Sequence, residues 1–373
     1  MILNMGPQHP STHGVLRLKL TIDADTITRV VPYMGYIHRG LEKLAENRRY
    51  EQFTPHPDRL DYISAMSWNG LYCQTIEKAL DLHLPARVEY IRVICFELQR
   101  IANHLMFFAA YTLDLGQTTM FIYPFQEREW ILDLFEQISG QRLTYNYFRI
   151  GGVSRDAPRD WSEKVFRFLD HMEKRMKVYH NMVEENEIFL ARTKGIGVMK
   201  REEALRLGML GPPLRASGAR RDVRRDEPYS IYERFDFDIP ILEEGDSFAR
   251  YEIRMLEIYE SIKIVRQALA QLPDEKIPDG HDLIKQPVKL PECEVYCRNE
   301  LPKGEGAFYL VSTGEKPESR LATEGGRRPY RLKIKSPAFV NLWFLDPLTR
   351  GHHIADIIPI NSSLDLIFGE VDR

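Results

Sequence analysis

LPARVEYIRVICFELQRIANHLMFFAAYTLDLG, residues Leu84–Gly116, carries the longest helical pattern in the chain. Pro85 suits a first helical turn, where its missing N–H costs nothing. Beyond it Ile91, Ile94, Cys95, Leu98, Ile101, Ala102 and Leu105 recur at steps of three and four. That spacing is one face of a 3.6-residue period, and the apolar band is wide enough to predict the central helix of a bundle. Glu97, Arg100 and His104 share a single face of the same helix and predict a polar seam against a neighbour, structural in role. Asp114 stands where the pattern ends, in Leu113-Asp114-Leu115-Gly116.

Working outward, further helices are expected over Glu127–Ser139, Trp161–Val183, Arg201–Leu207 and Asp246–Leu272. Before the helical region Leu16, Leu18, Leu20 and Ile22 alternate with Arg17, Lys19 and Thr21, the period of a half-buried strand. A turn at Asp23-Ala24-Asp25 and a return strand Ile27–Val31, ended by Pro32, complete a hairpin. Pro273–Pro291 reads as an extended connection. Two strands follow, Ala307–Ser312 and Tyr330–Ser336, joined by a solvent loop at Thr313–Pro329. The fold class is therefore α+β, mainly α. One intertwined body is expected, with an N-terminal β region (1–60), a helical core (61–272) and a C-terminal α/β region (273–373).

Composition narrows the functions. The 43% hydrophobic and 28% charged fractions are those of a globular protein, and a net charge of -3 gives no sign of nucleic-acid binding. Cys73, Cys95, Cys293 and Cys297 form no Cys-x-x-Cys pair, so no thiolate metal site is expected. Gly195-Ile196-Gly197 and Gly304-Glu305-Gly306 each lack the third glycine of a dinucleotide fingerprint. With neither a signal-peptide pattern nor an apolar run near the roughly 18 residues of a membrane span, a cytoplasmic chain that meets membrane only through partners is expected.

Three short segments carry candidate chemistry. Gly6-Pro7-Gln8-His9-Pro10-Ser11-Thr12-His13-Gly14 puts two histidines, which titrate near neutrality, on a loop before the first hairpin; they could equally cap backbone groups. Tyr62, in Arg59-Leu60-Asp61-Tyr62, could donate a hydrogen bond to a carbonyl oxygen or simply anchor its own hydroxyl. Asp114, between leucines, must be paired, protonated or satisfied at the helix end. The run Arg215, Arg220, Arg221, Arg224, Arg225 reads as an inter-subunit or a solvated face.

These segments, with Ser217-Gly218, Asp222-Val223-Arg224, Ser336–Leu342 and Ser363–Arg373, together resemble the hydrogenase-derived 49 kDa subunit family of respiratory complex I. The resemblance covers nearly the whole chain. It implies a nickel–iron hydrogenase large-subunit-like helical bundle. Hydrogenases of that kind hold their metals with two pairs of soft thiolates. The corresponding positions here are Asp61, Ser64, Ile367 and Glu370. The metal is therefore lost, and a polar cavity is expected in its place.

The same resemblance implies the function, a subunit of a proton-translocating NADH-quinone oxidoreductase that forms the quinone-reduction chamber. His13 and Tyr62 would hold the quinone headgroup, and Asp114 would orient His13. Arg59 and Arg39 would lie near the terminal 4Fe–4S cluster of a partner, with the segment Gly35–Lys43, His38 included, supporting that interface. The chain itself would bind no cofactor. Implied partners are the iron–sulfur (B) polypeptide, the C and I polypeptides of the peripheral arm and the membrane-embedded H polypeptide, on the cytoplasmic side of the inner membrane. Ferredoxin or a reduced deazaflavin is the alternative donor, while the missing thiolates argue against an active hydrogenase. Three departures stand out: the connection 273–291 is shorter than in relatives, the loop 313–329 is longer, and Thr144 replaces a histidine found in many of them.

Overall fold

The computed structural model describes residues 1–7, 14–277, 287–314 and 325–373. Its N-terminal strands β1 (Ile2–Met5), β2 (Arg17–Asp23) and β3 (Thr26–Tyr33) form an antiparallel sheet in that order. The alternation in β2 buries Leu18, Leu20 and Ile22 as expected, and Ala24 takes the left-handed conformation in the turn (φ +48°). Two details differ from expectation. β1 is an additional strand, and β3 runs through Pro32 instead of stopping there. β3 is an edge strand, where a missing N–H disrupts no ladder on its open side.

The inner face of this sheet packs on the other end of the chain. Leu20, Ile27 and Val30 share a core with Leu345, Ile360, Phe368 and Val371, and Val30 N–H donates to Asp346 Oδ1 at 2.7 Å. N- and C-terminal motifs are thereby brought side by side. A Cβ on Gly14 (φ +87°) would stand 3.2 Å from Phe368 Cβ.

Among the described residues five long helices make the bundle: α1 (Ala65–Ala79), α2 (Ala86–Asp114), α3 (Thr118–Ser139), α4 (Trp161–Glu184) and α5 (Ser247–Ala270). As its wide apolar band requires, α2 is central and packs against α1, α3 and α5. Gly70 lets α1 approach closely, since a Cβ there would lie 2.4 Å from the Phe96 ring. Asp246 caps α5 by accepting from Ala249 N–H at 2.7 Å. The short helix Arg201–Leu207 matches its expected bounds. α3 begins at Thr118, ahead of the expected Glu127, and contains Pro124. Met120 and Pro124 are buried in the bundle, and that packing offsets the one backbone hydrogen bond the proline removes.

A short hairpin, β4 (Phe148–Arg149) and β5 (Gly152–Val153), precedes α4. The C-terminal sheet has three antiparallel strands, β6 (Glu292–Leu301), β7 (Gly304–Thr313) and β8 (Arg331–Lys335), rather than the expected two. β6 and β7 stay in register to Leu301↔Gly304, so Pro302-Lys303 is a two-residue turn. That turn is driven inward. A Cβ on Gly211 would stand 2.4 Å from Gly304 Cα, so only glycine on both sides lets the segments meet. Trp68, Tyr72, Phe308 and Leu310 fill the space between this sheet and α1. Large parts of the expected connection 273–291 and loop 313–329 lie outside the described residues. No helix among those described is long and apolar enough to cross a membrane.

Candidate functional site

The Arg59–Ser64 turn, the middle of α2, the β6–β7 turn and the C-terminal tail converge on one buried ammonium, Lys303. It is 3% exposed. Its Nζ lies 2.8 Å from Asp61 Oδ2 and 3.8 Å from Asp365 Oδ2, and it donates a short hydrogen bond to Asn103 Oδ1. Burial alone would push this lysine toward its neutral form. Asp365 and Asp61 more than reverse that effect and hold the charge.

Asp61 is fixed by its own turn, accepting from Ile63 N–H at 3.0 Å and from Ser64 Oγ at 2.6 Å. Asp365, in a left-handed conformation (φ +56°), accepts from Asn103 Nδ2 at 3.3 Å and faces Arg254 Nε at 3.9 Å. Glu370 accepts from Trp68 Nε1 at 2.9 Å and Ala338 N–H at 2.8 Å. Burial and the Asp61 charge push Glu370 up to about 8, against the opposing pull of Lys303 and those donors, so it keeps its proton at neutrality. The charges then balance: Asp61 and Asp365 face Lys303 and Arg254.

Asp61 and Ser64 bond each other, Lys303 donates to Asp61, and the Asp61 and Lys303 charges both act on Glu370. Lys303, Asn103 and Asp365 were not singled out from sequence. The available signal was Leu301-Pro302-Lys303-Gly304, a turn sequence between two alternating segments, which becomes visible once β6 is recognised.

Tyr62 borders this centre. It is 43% exposed rather than buried, and its hydroxyl has no hydrogen-bond partner among the described residues. Burial of the ring and the Asp61 charge raise its pKa, with Lys303 acting the other way. Asp114 is half-buried at the end of α2, where its Oδ2 accepts from Ser362 Oγ at 2.5 Å. Residues 8–13 lie outside the described structure, and His9, His13 and the expected His13–Asp114 contact lie outside it with them.

Arg39 and Arg59 do come together. Arg39 Nη2 donates to the Arg59 carbonyl at 2.6 Å, and Arg59 Nη1 to the Pro55 carbonyl at 2.5 Å. Burial and the neighbouring Arg59 charge lower the Arg39 pKa, and His56 is lowered by burial and by Arg59, Arg48 and Arg39. Among the described residues neither Arg39 nor Arg59 has a carboxylate partner. The tail organises this face: Asp372 accepts from Gly35 and Ile37 N–H at 2.7 and 3.0 Å, and its carbonyl meets His38 Nδ1 at 2.5 Å. Behind Arg59, Asp58 is fully buried and accepts from Asn146 N–H at 2.7 Å, just beyond Thr144. Burial pushes it up to about 7, only partly offset by Asn146 N–H, Arg59 and Arg149.

The polar seam on α2 is a buried ionic network. Glu97 meets Arg224 at 3.1 Å, Arg100 at 3.3 Å, Tyr232 Oη at 2.6 Å and Ser261 Oγ at 2.7 Å. His104 Nε2 lies 2.9 Å from Glu257, which also pairs with Arg215. Burial pushes His104 down to about 4, so the neutral ring donates to Glu257. The arginine run is accordingly split. Arg215 and Arg224 are core residues, and only part of the run faces outward. Among the described residues one group has metal-ligand spacing, His180, Glu184 and Glu252, with ligand atoms within 4.8 Å of one another. His180 and Glu184 already bond each other, and burial and the Glu184 charge push Glu252 up to about 7.

Comparison with known proteins places this architecture. The family model described as "Respiratory-chain NADH dehydrogenase, 49 Kd subunit" matches residues 114–287 and 279–373. The chain belongs to this family. It is 47% identical to the D polypeptide of NADH-quinone oxidoreductase from Geobacillus kaustophilus, with 100% of this chain and 98% of that protein aligned. The corresponding D polypeptides of Geobacillus thermodenitrificans and Bacillus anthracis are 47% identical over the same shares. The mainly α reading and the resemblance to the 49 kDa family are borne out at the level of family and fold.

Proposed function

We propose that this chain, as a subunit of a proton-translocating NADH-quinone oxidoreductase, forms the chamber in which quinone is reduced, beside a 4Fe–4S cluster held by the iron–sulfur (B) polypeptide. The observation that carries this reading is a buried centre of Lys303, Asp61 and Asp365 where a metal would sit in a hydrogenase. At its edge stands the Tyr62 hydroxyl, which has no partner among the described residues. That centre engages Asp61 with a lysine ammonium, and it presents a phenol O–H to an incoming carbonyl oxygen.

Two further features support it. Arg39 and Arg59 are close cations with no carboxylate partner among the described residues, and a fixed positive charge favours the reduced, more negative state of a nearby cluster. Asp114 stands at the end of the helix that carries Asn103, and its carboxylate bonds Ser362 on the C-terminal segment. In the reaction, quinone takes two electrons, one at a time from the cluster, and two protons. Tyr62 and His13 hold the two carbonyl oxygens and pass protons to them, and Asp114 fixes the tautomer and charge of His13. The C and I polypeptides and the membrane-embedded H polypeptide complete the surroundings and hold the chain at the cytoplasmic face of the inner membrane.

Tyr62→Phe in the assembled complex is the test. It deletes one hydroxyl and almost no volume, so assembly should be intact while quinone reduction falls by about tenfold or more. Electron input read with an artificial acceptor upstream of quinone should be unchanged. Equal losses in both assays would make Tyr62 structural and overturn the reading.

A further inference from the structure

A cleft of about 390 Å³ opens beside β6 and β7, lined by Arg201, Arg220, Arg221, Arg298, Asp226 and Glu305. Four guanidinium groups face two carboxylates in a chain whose net charge is -3, so the positive excess is local. Glu305 is already committed: it meets Arg221 at 3.1 Å and Arg298 at 3.3 Å and accepts from Lys335. Arg298 is further tied to Glu227 at 2.5 Å. Arg201 and Arg220, both exposed, have no acidic partner among the described residues.

The loop that carries Arg220 and Arg221 is held from inside. Buried Arg215 donates through Nη1 to the Arg221 carbonyl at 2.9 Å, and Val223 N–H donates to Glu300 Oε2 at 3.2 Å. The backbone of this loop is therefore in place before anything binds, which removes part of the ordering cost of association. The floor is apolar. Ala219 and Val223 are buried beneath it, and Leu205, 48% exposed, stands at its side. Arginine around a small apolar floor is the composition of a protein interface, where guanidinium groups take carboxylates in bidentate pairs.

We propose that this cleft is a docking site for an acidic segment of a partner subunit, one that brings two or more carboxylates to Arg201 and Arg220 and an apolar side chain to Leu205. The chain's family consists of subunits, so a protein partner is at hand. The apolar floor favours a peptide over a free phosphate. The proposal stands apart from the quinone reading, since nothing in it touches Lys303 or Tyr62.

A photo-crosslinking residue at position 205 in the assembled complex should join a stretch rich in Asp and Glu on another subunit. Arg201→Glu with Arg220→Glu should lower retention of that subunit at raised salt by about tenfold or more, because two attractions become repulsions. Neither arginine has an acidic partner among the described residues, so melting of the isolated full chain should move by no more than about 2 °C. Crosslinks that fall only on neutral or basic segments, or unchanged retention, would overturn the proposal. Saturable binding of inorganic phosphate to the isolated chain, abolished by the same two substitutions while retention is unchanged, would make it a small-anion site and overturn it as well.

Discussion

Replacing Lys303 by methionine would keep most of the side-chain volume and remove the ammonium. In the structure that deletes the contacts to Asp61 at 2.8 Å, to Asn103 and to Asp365 at 3.8 Å, and it leaves Asp61 with Ser64 and Ile63 as its remaining donors. Breaking a buried pair from one side costs about 3–5 kcal/mol, since the other charge remains in the low-dielectric interior. For a chain of this size that is a fall in melting temperature on the order of 4–6 °C. The loss should depend on pH. The stranded Asp61 carboxylate can escape by binding a proton in the folded state, which the unfolded chain does not need to do. The variant then binds more protons folded than unfolded, so its stability falls as pH rises. Thermal unfolding of the full chain should therefore show a larger gap between parent and variant at about pH 8 than at about pH 5.5. Adding Asp61→Asn should recover more than half of the loss, by removing the carboxylate whose cationic partner was lost. A gap under about 1 kcal/mol at both pH values, or no recovery in the double variant, would refute the idea that Lys303 is the charge around which this centre is built.

Other substitutions probe the remaining parts. Glu370, raised from 4.5 to about 8, binds a proton when folded that the unfolded chain releases, so its contribution to stability is lost as pH rises between those two values. Glu370→Gln should flatten that decline, with a pH-independent offset from the lost acceptor, and melting curves across the range would show it. Asp114→Asn should lower quinone reduction by about tenfold or more and shift its pH profile to the acid side, and the shift should vanish in a His13→Ala background. An unshifted profile in an assembled complex would dissolve the His13–Asp114 couple. Glu97→Gln should impair folding and assembly rather than the pH profile, because Arg224 and Arg100 lose a shared buried partner at about 3–5 kcal/mol. An assembled Glu97→Gln complex with altered pH dependence would place that residue in proton handling instead.

By itself the sequence determined the local elements and the family. The three- and four-residue recurrence from Ile91 to Leu105 specifies a central helix, since a helix wholly enclosed must be apolar over a wide band. Alternation from Leu16 to Ile22 specifies a strand, and the short motifs carry the resemblance that the family match bears out. Other features needed the folded chain. Pro124 inside α3 is set by packing, which outweighs a local propensity. Arg215 and Arg224 look like surface residues beside Arg220 and Arg221, yet they are buried because Glu257, Glu300 and Glu97 come from distant elements to pair them. Lys303 is the sharpest case. Nothing in Pro302-Lys303-Gly304 announces a buried cation, because its counter-charges stand 242 residues before it, at Asp61, and on the tail, at Asp365. The cost of burying a charge is decided by what surrounds it in space, and that is information only the tertiary structure holds.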